Sequence, residues 1–486
     1  MAILAVAFTQ DESTMKKLRL AIAFVIFLAT LAIYTASPIT AHTDSIWSLY
    51  LSTSLVRTGD FNLDEYSALI PPDDYRTERL NGHIYSFYPI GTPLMAAPVV
   101  YLLDHLPLFN GANLSAFLAS RPPGIDVWQV EKFVASTIVA LNAMVVFALA
   151  LQYLNVFKSV ILSVIFALAT PAWSTASRGL WQHGPTMLCL SIALYLVVLA
   201  KRKPALSPLV ALPLALSYVV RPTNIVSIAV FTLFIFMVHR RYFWQYVLCL
   251  IIFFTPFFIY NYSVYKQVLP SYYMPQLLGN LNPIALVGTL ISPSRGLVIF
   301  SPILLLSFYS AFRRITHAGK LSFQEIDIYL VGILILHWLV ISASPAWYGG
   351  WSVGPRYFTD MVPYLTFFLI PVLEISTPSS ENRVIHKIGI PVFICLAAFS
   401  IFVHYRCSTN IGPTQWNGIP NDIDSNQYRL WDWTDIQFLR NLCPGEDYQA
   451  PKCWFYATNA TAPLRSPSLS FVSSYNATIF IQRSRH

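Results

Sequence analysis

The residues best suited to chemistry are one carboxylate and a group of cations set between apolar stretches. Asp44 lies in His42-Thr43-Asp44, just beyond an apolar run over residues 20 to 36. A carboxylate at the headgroup plane is partly stripped of water, which makes it a better proton acceptor and a candidate general base. Thr43 or Asp44 ahead of a helical pattern is also an ordinary helix cap, and position alone does not choose between the two readings. Arg178, His183, Arg221, Arg295 and Arg356 each stand at or near a helix end, away from the other basic clusters. Cations on that side of a membrane ask for an anion, and a guanidinium fork suits phosphate oxygens. Pairing with loop acids or anionic headgroups is the plainer account of any single one.

Aromatic and glycine residues gather beside the same cations. Ser292-Pro293-Ser294-Arg295-Gly296 and the stretch from Trp347 through Trp351 to Arg356-Tyr357 combine backbone freedom with rings on which a sugar can stack. Rings at this depth also form the usual interfacial belt. The candidate substrate contacts are therefore His183, Arg221, Tyr88, Trp347, Trp351 and Tyr357. Asp60, Asp64 and Glu65 follow Gly59, and together with Asp73, Asp74 and Glu78 they read as solvated loop acids. His42, His83 and His183 have no spacing of a metal-ligand motif, so no metal site is assigned and a divalent metal is left open.

The elements that must hold these residues are membrane helices. The 486-residue chain is 55% hydrophobic and only 11% charged, which excludes a soluble globular class. Its net charge of +8 resides largely in short clusters between apolar runs, the pattern that orients a membrane protein, so nucleic acid is not an expected partner. An uncleaved signal anchor with the N-terminus inside accounts for the first run. Apolar runs near 20–36, 130–153, 157–175, 182–200, 205–220, 223–239, 243–262, 297–312, 325–343, 357–375 and 388–404 predict an all-α polytopic protein of about eleven spans with its C-terminus outside. On that count Lys158, Lys201-Arg202-Lys203, His239-Arg240-Arg241 and Arg313-Arg314 fall inside, and the candidate site residues fall outside or at the outer ends of spans.

The first outer segment, residues 38–129, is long. Residues 44–57 within it have helical apolar spacing and predict an interfacial helix. Residues 92–104 are too short to span, and a crossing there would invert every later loop, so they predict a second interfacial or re-entrant helix. The chain divides into a membrane domain, 1–404, and an outer tail or small subdomain, 405–486. Cys189, Cys249 and Cys395 read as buried apolar residues. Cys443 and Cys453 in the tail are close enough to pair, and Asn113, Asn459 and Asn476 head Asn-x-Ser/Thr triplets.

This layout resembles the GT-C membrane glycosyltransferases, within them the protein mannosyltransferase and aminoarabinose transferase group. The resemblance rests on Asp44 heading an interfacial helix, on Gly59-Asp60, and on Tyr88-Pro89-Ile90-Gly91-Thr92-Pro93-Leu94 opening a short second helix, with Thr92-Pro93-Leu94 as a variant of the group's Pro-Pro-Leu-type segment. Ser45 follows Asp44 where the group often has Glu, and Glu131-Lys132 stands where an Arg often opens the next span. The resemblance implies a GT-C-like fold in the cytoplasmic (inner) membrane with an extracytoplasmic active site. The implied activity is inverting sugar transfer from a polyprenyl-phosphate-linked donor to a glycan, lipid or protein hydroxyl. Asp44 would then be the base, and Arg178, Arg295 and Arg356 would bind the donor phosphate. The rival class is a transporter or flippase of a lipid-linked intermediate. Ionisable residues in mid-membrane would favour it, and few are evident in the expected spans.

Overall fold

A computed structural model describes residues 12–109, 111–273, 279–317, 325–374 and 383–442. The expectations for Cys443, Cys453, Asn459 and Asn476 lie outside the described residues. Among the described residues, five helices are long and apolar enough to cross a membrane: Met15–Ala36, Ile125–Ala150, His183–Ala200, Arg240–Tyr265 and Gly389–Thr409. Shorter apolar helices cover Val156–Leu168, Pro204–Val220, Pro222–Val238 and Ile326–Ser342.

Three of the expected spans are not continuous. Residues 297–312 fall into Leu297–Phe300, Pro302–Leu304 and the start of Leu305–His317. Residues 357–375 divide into Arg356–Met361, Val362–Phe367 and Ile370–Glu374. Prolines account for the breaks: Pro302 and Pro363 open new helical turns, and Pro371 offers no N–H to the turn before it. The expected span 157–175 likewise stops at Leu168, and a π-helical turn, Ala172–Ala176, follows Pro171. Broken helices bring backbone and polar side chains into the bundle, and one of these breaks, Arg356–Met361, carries the candidate site residues Arg356 and Tyr357.

Ile125–Ala150 is the central helix. It packs on the first helix, on Val156–Leu168 and on His183–Ala200 through Val139, Ala143, Val146 and Phe147, all buried. Arg240–Tyr265 is peripheral and turns Trp244, Ile251, Ile259 and Tyr262 outward, the apolar exterior expected of a lipid-facing span. Cys249 is half-buried and Cys395 exposed, so of the three thiols expected to be buried only Cys189 is.

Residues 38–109 and 111–124 build a compact cap whose core is shared with the central helix. Helix Ser48–Arg57 ends where Gly59 turns left-handed, and helix Gly91–Asp104 lies against it. Leu49, Leu51, Leu63, Ile84, Ala96 and Val100 join Val134 and Ile138 of the central helix in this core. A Cβ at position 91 would collide with the backbone of Val220, so Gly91 lets the second helix begin directly on the end of Pro204–Val220. The all-α expectation is corrected here by a two-stranded hairpin, Thr77–Leu80 with His83–Ser86. Its turn is Asn81-Gly82 with both φ positive, a turn chemistry legible in the dipeptide itself. Asn113 accepts from the backbone N–H of Ala116 and caps helix Leu114–Ala119.

The described part of the tail is bound to the membrane domain. Trp416, Ile423 and Leu430 share a core with Trp347 and Tyr348. Arg429 stacks over Trp416 at 4.3 Å and, with Arg440, pairs with Asp435.

Candidate functional site

Asp44 does not cap a helix. The helix after it starts at Ser48, preceded by a turn, and its cap residue Trp47 contributes no side-chain cap bond. The Asp44 carboxylate forms an ion pair with Nη2 of Arg356, which comes from the far end of the chain. Asp44 keeps 29% of its side-chain exposure and Arg356 only 11%, so the pair sits at a rim with the cation beneath the acid. Burial alone would lower the Arg356 pKa, but the neighbouring Asp44 carboxylate outweighs it and holds the guanidinium above its ordinary value.

Behind this pair lies a fixed chain of groups. Arg356 Nε donates to His183 Nε2 at 3.2 Å, and the other imidazole nitrogen is 2.8 Å from Oδ1 of Asp360. These two contacts assign the tautomer: Nδ1 carries the proton and donates to the carboxylate, and Nε2 accepts. The second oxygen of Asp360 pairs with Arg221. Arg221 also lies 2.8 Å from His183 Nδ1, and in that tautomer this is a close approach without a hydrogen bond. Asp360 and His183 are buried and Arg221 nearly so, and His337, also buried, stands within electrostatic reach of Asp360. The Arg356 guanidinium rests on the Trp181 ring at 4.0 Å, and Arg221 faces the Tyr357 ring at 5.0 Å.

Aromatic groups close the rim. Tyr75, Tyr88 and Tyr272 lie within electrostatic reach of Asp44, and Tyr88 meets Tyr272 edge-on at 5.6 Å. Burial pushes the Tyr88 hydroxyl well above its ordinary range and that of Tyr272 up to about 12, so both remain hydrogen-bond donors at neutral pH. A shallow cleft opens beside Arg356, lined also by Thr289, Tyr348 and Tyr357. A second runs from Tyr88 and Ile90 to Phe257, Tyr260 and Tyr265 on the peripheral helix.

The structure gathers Asp44, Tyr88, His183, Arg221, Arg356 and Tyr357 and gives the other expected residues different surroundings. Arg178 is buried with all five N–H groups engaged: Nε and Nη2 on Ser177 Oγ, Nη2 also on Tyr34 O, and Nη1 on the carbonyls of Ser37 and Ile39. Arg295 is equally committed, to the carbonyls of Ser294, Tyr348 and Gly350 and the amide oxygens of Asn417 and Gln437. Neither is ion-paired among the described residues, and burial lowers each to about 9. They are staples: Arg178 fixes the exit of the first helix, and Arg295 fixes the 348–350 turn to the tail. Arg356 donates in three directions, to Asp44, His183 Nε2 and Gly349 O, and two of its five N–H groups have no acceptor among the described residues. Trp347 packs into space left by Gly288, and half-buried Trp351 donates to Asp422 at 3.2 Å.

Sequence reasoning missed Asp360, although an acid four residues beyond Arg356 inside an expected span carries a readable signal. It also missed Trp181 and Tyr272, which nothing in their sequence surroundings sets apart. His42, His83 and His183 each have separate partners. His42 stacks on Trp128, and His83 meets Asp64 at 2.5 Å.

No known family profile and no curated protein matches the chain. Among solved structures it is similar to ArnT from Cupriavidus metallidurans bound to undecaprenyl phosphate, with 13% identity and a TM-score of 0.49 over 86% of this chain and 73% of that one. It is similar to the apo state of the same protein at 12% identity and TM-score 0.47, covering 88% and 75%. The apo Archaeoglobus fulgidus oligosaccharyltransferase gives 11% and 0.46, covering 90% and 62%. These are GT-C membrane glycosyltransferases. The likeness is one of chain path, and no residue role is taken from it.

Proposed function

We propose that the chain transfers a sugar from a polyprenyl-phosphate-linked donor to an acceptor hydroxyl, at the extracytoplasmic face of the cytoplasmic membrane. The observation that carries this reading is the Asp44–Arg356 pair, which joins a rim carboxylate to a cation that keeps two N–H groups for an anion. Asp44 takes the proton from the acceptor hydroxyl as its oxygen bonds to the anomeric carbon. The bond from that carbon to the phosphate oxygen breaks, and the electron pair stays on the lipid phosphate. Charge thus grows on the phosphate as the bond breaks, and a preorganised cation there lowers the barrier. His183 and Asp360 fix the plane of Arg356, and Trp181 supports its face. One displacement with no covalent glycosyl-enzyme inverts the anomeric centre. Arg178 and Arg295 shape the loops and do not meet the phosphate in this scheme. Membrane lipids surround the spans, and the acceptor is a glycan, a lipid or a protein.

The test is transfer by purified protein in nanodiscs from a labelled lipid-linked sugar. Undecaprenyl phosphate, the ligand of the ArnT structure, is the carrier to try first. Asp44→Asn should lower turnover by about 10²–10⁴-fold, the usual contribution of a general base, with unchanged thermal melting. Near wild-type turnover by the folded variant sinks the assignment.

One observation favours a second reading. Asp360, His183 and Arg221 form a buried ionisable group within the bundle, a feature transporters also use. Lipid flipping by reconstituted protein, with no cleavage of the donor, would establish the flippase instead.

A further inference from the structure

We infer that Glu131 is a positioning residue, a single carboxylate oxygen that sets Asp44 and Arg356 against each other through two separate loops. The catalytic half of this inference rests on the transfer reading above.

Glu131 lies near the start of the central helix and is 1% exposed. Its Oε1 accepts the hydroxyl of Ser45 at 2.5 Å and the backbone N–H of Leu180 at 2.8 Å. Ser45 adjoins Asp44, and Leu180 adjoins Trp181 in the turn that leads to His183. Both loops therefore end on the same guanidinium: Asp44 pairs with Arg356, Trp181 lies under it, and His183 accepts from its Nε. The loops also touch directly, because the Ala41 N–H donates to Arg178 O at 2.9 Å and a side chain at Gly179 would collide with Ala41 O. A Cβ at Gly179 would lie 3.2 Å from Glu131 Oε1, so the junction of the two loops closes on that oxygen. The other oxygen, Oε2, is buried without a hydrogen-bond partner among the described residues. A buried carboxylate with one oxygen unsatisfied is costly to keep.

The experiment uses the full chain in nanodiscs with a labelled undecaprenyl-phosphate sugar. Glu131→Ala removes both bonds and should lower kcat by about 10²-fold, the scale of a displacement near 1 Å, with donor KM changed less than about threefold. Glu131→Gln keeps an acceptor for both donors and should retain activity within about tenfold of wild type. In an Asp44→Asn background Glu131→Ala should remove little further activity, because residues that act as one unit are not additive. An equal fall in both backgrounds overturns the inference, as does Glu131→Gln performing as poorly as Glu131→Ala.

Hydrogen exchange supplies a readout that needs no transfer. In Glu131→Ala, peptides covering 40–46 and 178–184 should both exchange faster, and in Glu131→Gln neither should. Unchanged exchange in both loops overturns the bridge. A wild-type protein that transfers nothing, while both loops loosen in Glu131→Ala, overturns the transfer reading and leaves the bridge standing. If Glu131→Ala does not fold, Ser45→Ala removes one of the two bonds. It should loosen 40–46 alone and lower kcat by about tenfold, and wild-type kcat in that variant overturns the inference.

Discussion

His42 lies flat against Trp128, with ring centroids 3.5 Å apart and planes 11° from parallel. Burial lowers its pKa to about 4, and the Arg76 cation adds to that. The folded pKa is below the ordinary 6.5, so between those values the unfolded chain binds a proton that the folded chain refuses. Stability from this ring is fully present above pH 6.5 and is lost as pH falls toward 4, with a slope of at most about 1.4 kcal/mol per pH unit. Melting temperatures in detergent between pH 7 and 4 should show this decline, and His42→Phe should flatten it. At this scale the sequence announced Asp44 and Arg356 separately, as an acid after a span and a cation on the outer side. Their pairing across 312 residues was not legible, because it depends on how the loops fold back. The commitment of Arg178 and Arg295 to carbonyls was hidden for the same reason: five N–H groups can be counted from the residue type, but their acceptors cannot.

Asp360 and Arg221 tie two elements together at the end of the bundle that carries the Asp44–Arg356 pair. Arg221 directly follows helix Pro204–Val220, and Asp360 sits in the helical turn Arg356–Met361 that replaces the start of an expected span. Removing one member of a buried pair leaves an uncompensated charge, at a cost of about 3–5 kcal/mol. Arg221→Ala should therefore lower thermal stability sharply, and Arg221→Ala with Asp360→Ala should restore part of the loss. Melting of the two variants side by side checks this, and equal melting would show that the pair contributes nothing. Hydropathy located the helices well, because apolar runs of this length have few other uses. It located their breaks poorly, since Pro302, Pro363 and Pro371 sit inside runs that remain apolar throughout. The hairpin was readable from Asn81-Gly82 but was overlooked in a segment searched for helical spacing.

Over the whole molecule, charge separates into layers. Basic clusters such as Lys201-Arg202-Lys203 and Arg313-Arg314 lie at one end of the helices, and the Asp44–Arg356 pair lies at the other, beneath a cap whose core is shared with the central helix. Within the site the signs alternate, Asp44, Arg356, Asp360, Arg221, so two acids meet two bases and the array is neutral before any ligand arrives. Arg356 is therefore already claimed. A donor phosphate bound as proposed to its two remaining N–H groups would draw the same positive charge away from Asp44, so on that proposal the anion and the acid compete for one cation. On the transfer proposal, loading the donor and freeing Asp44 would then be a single event, with the proton acceptor withheld until a donor is in place. Asn at position 44 would end the rivalry. Asp44→Asn should hold undecaprenyl phosphate about tenfold more tightly, within the usual size of coupling between sites, even as its turnover falls. Weaker or unchanged binding in a titration would show that the phosphate does not draw on Arg356.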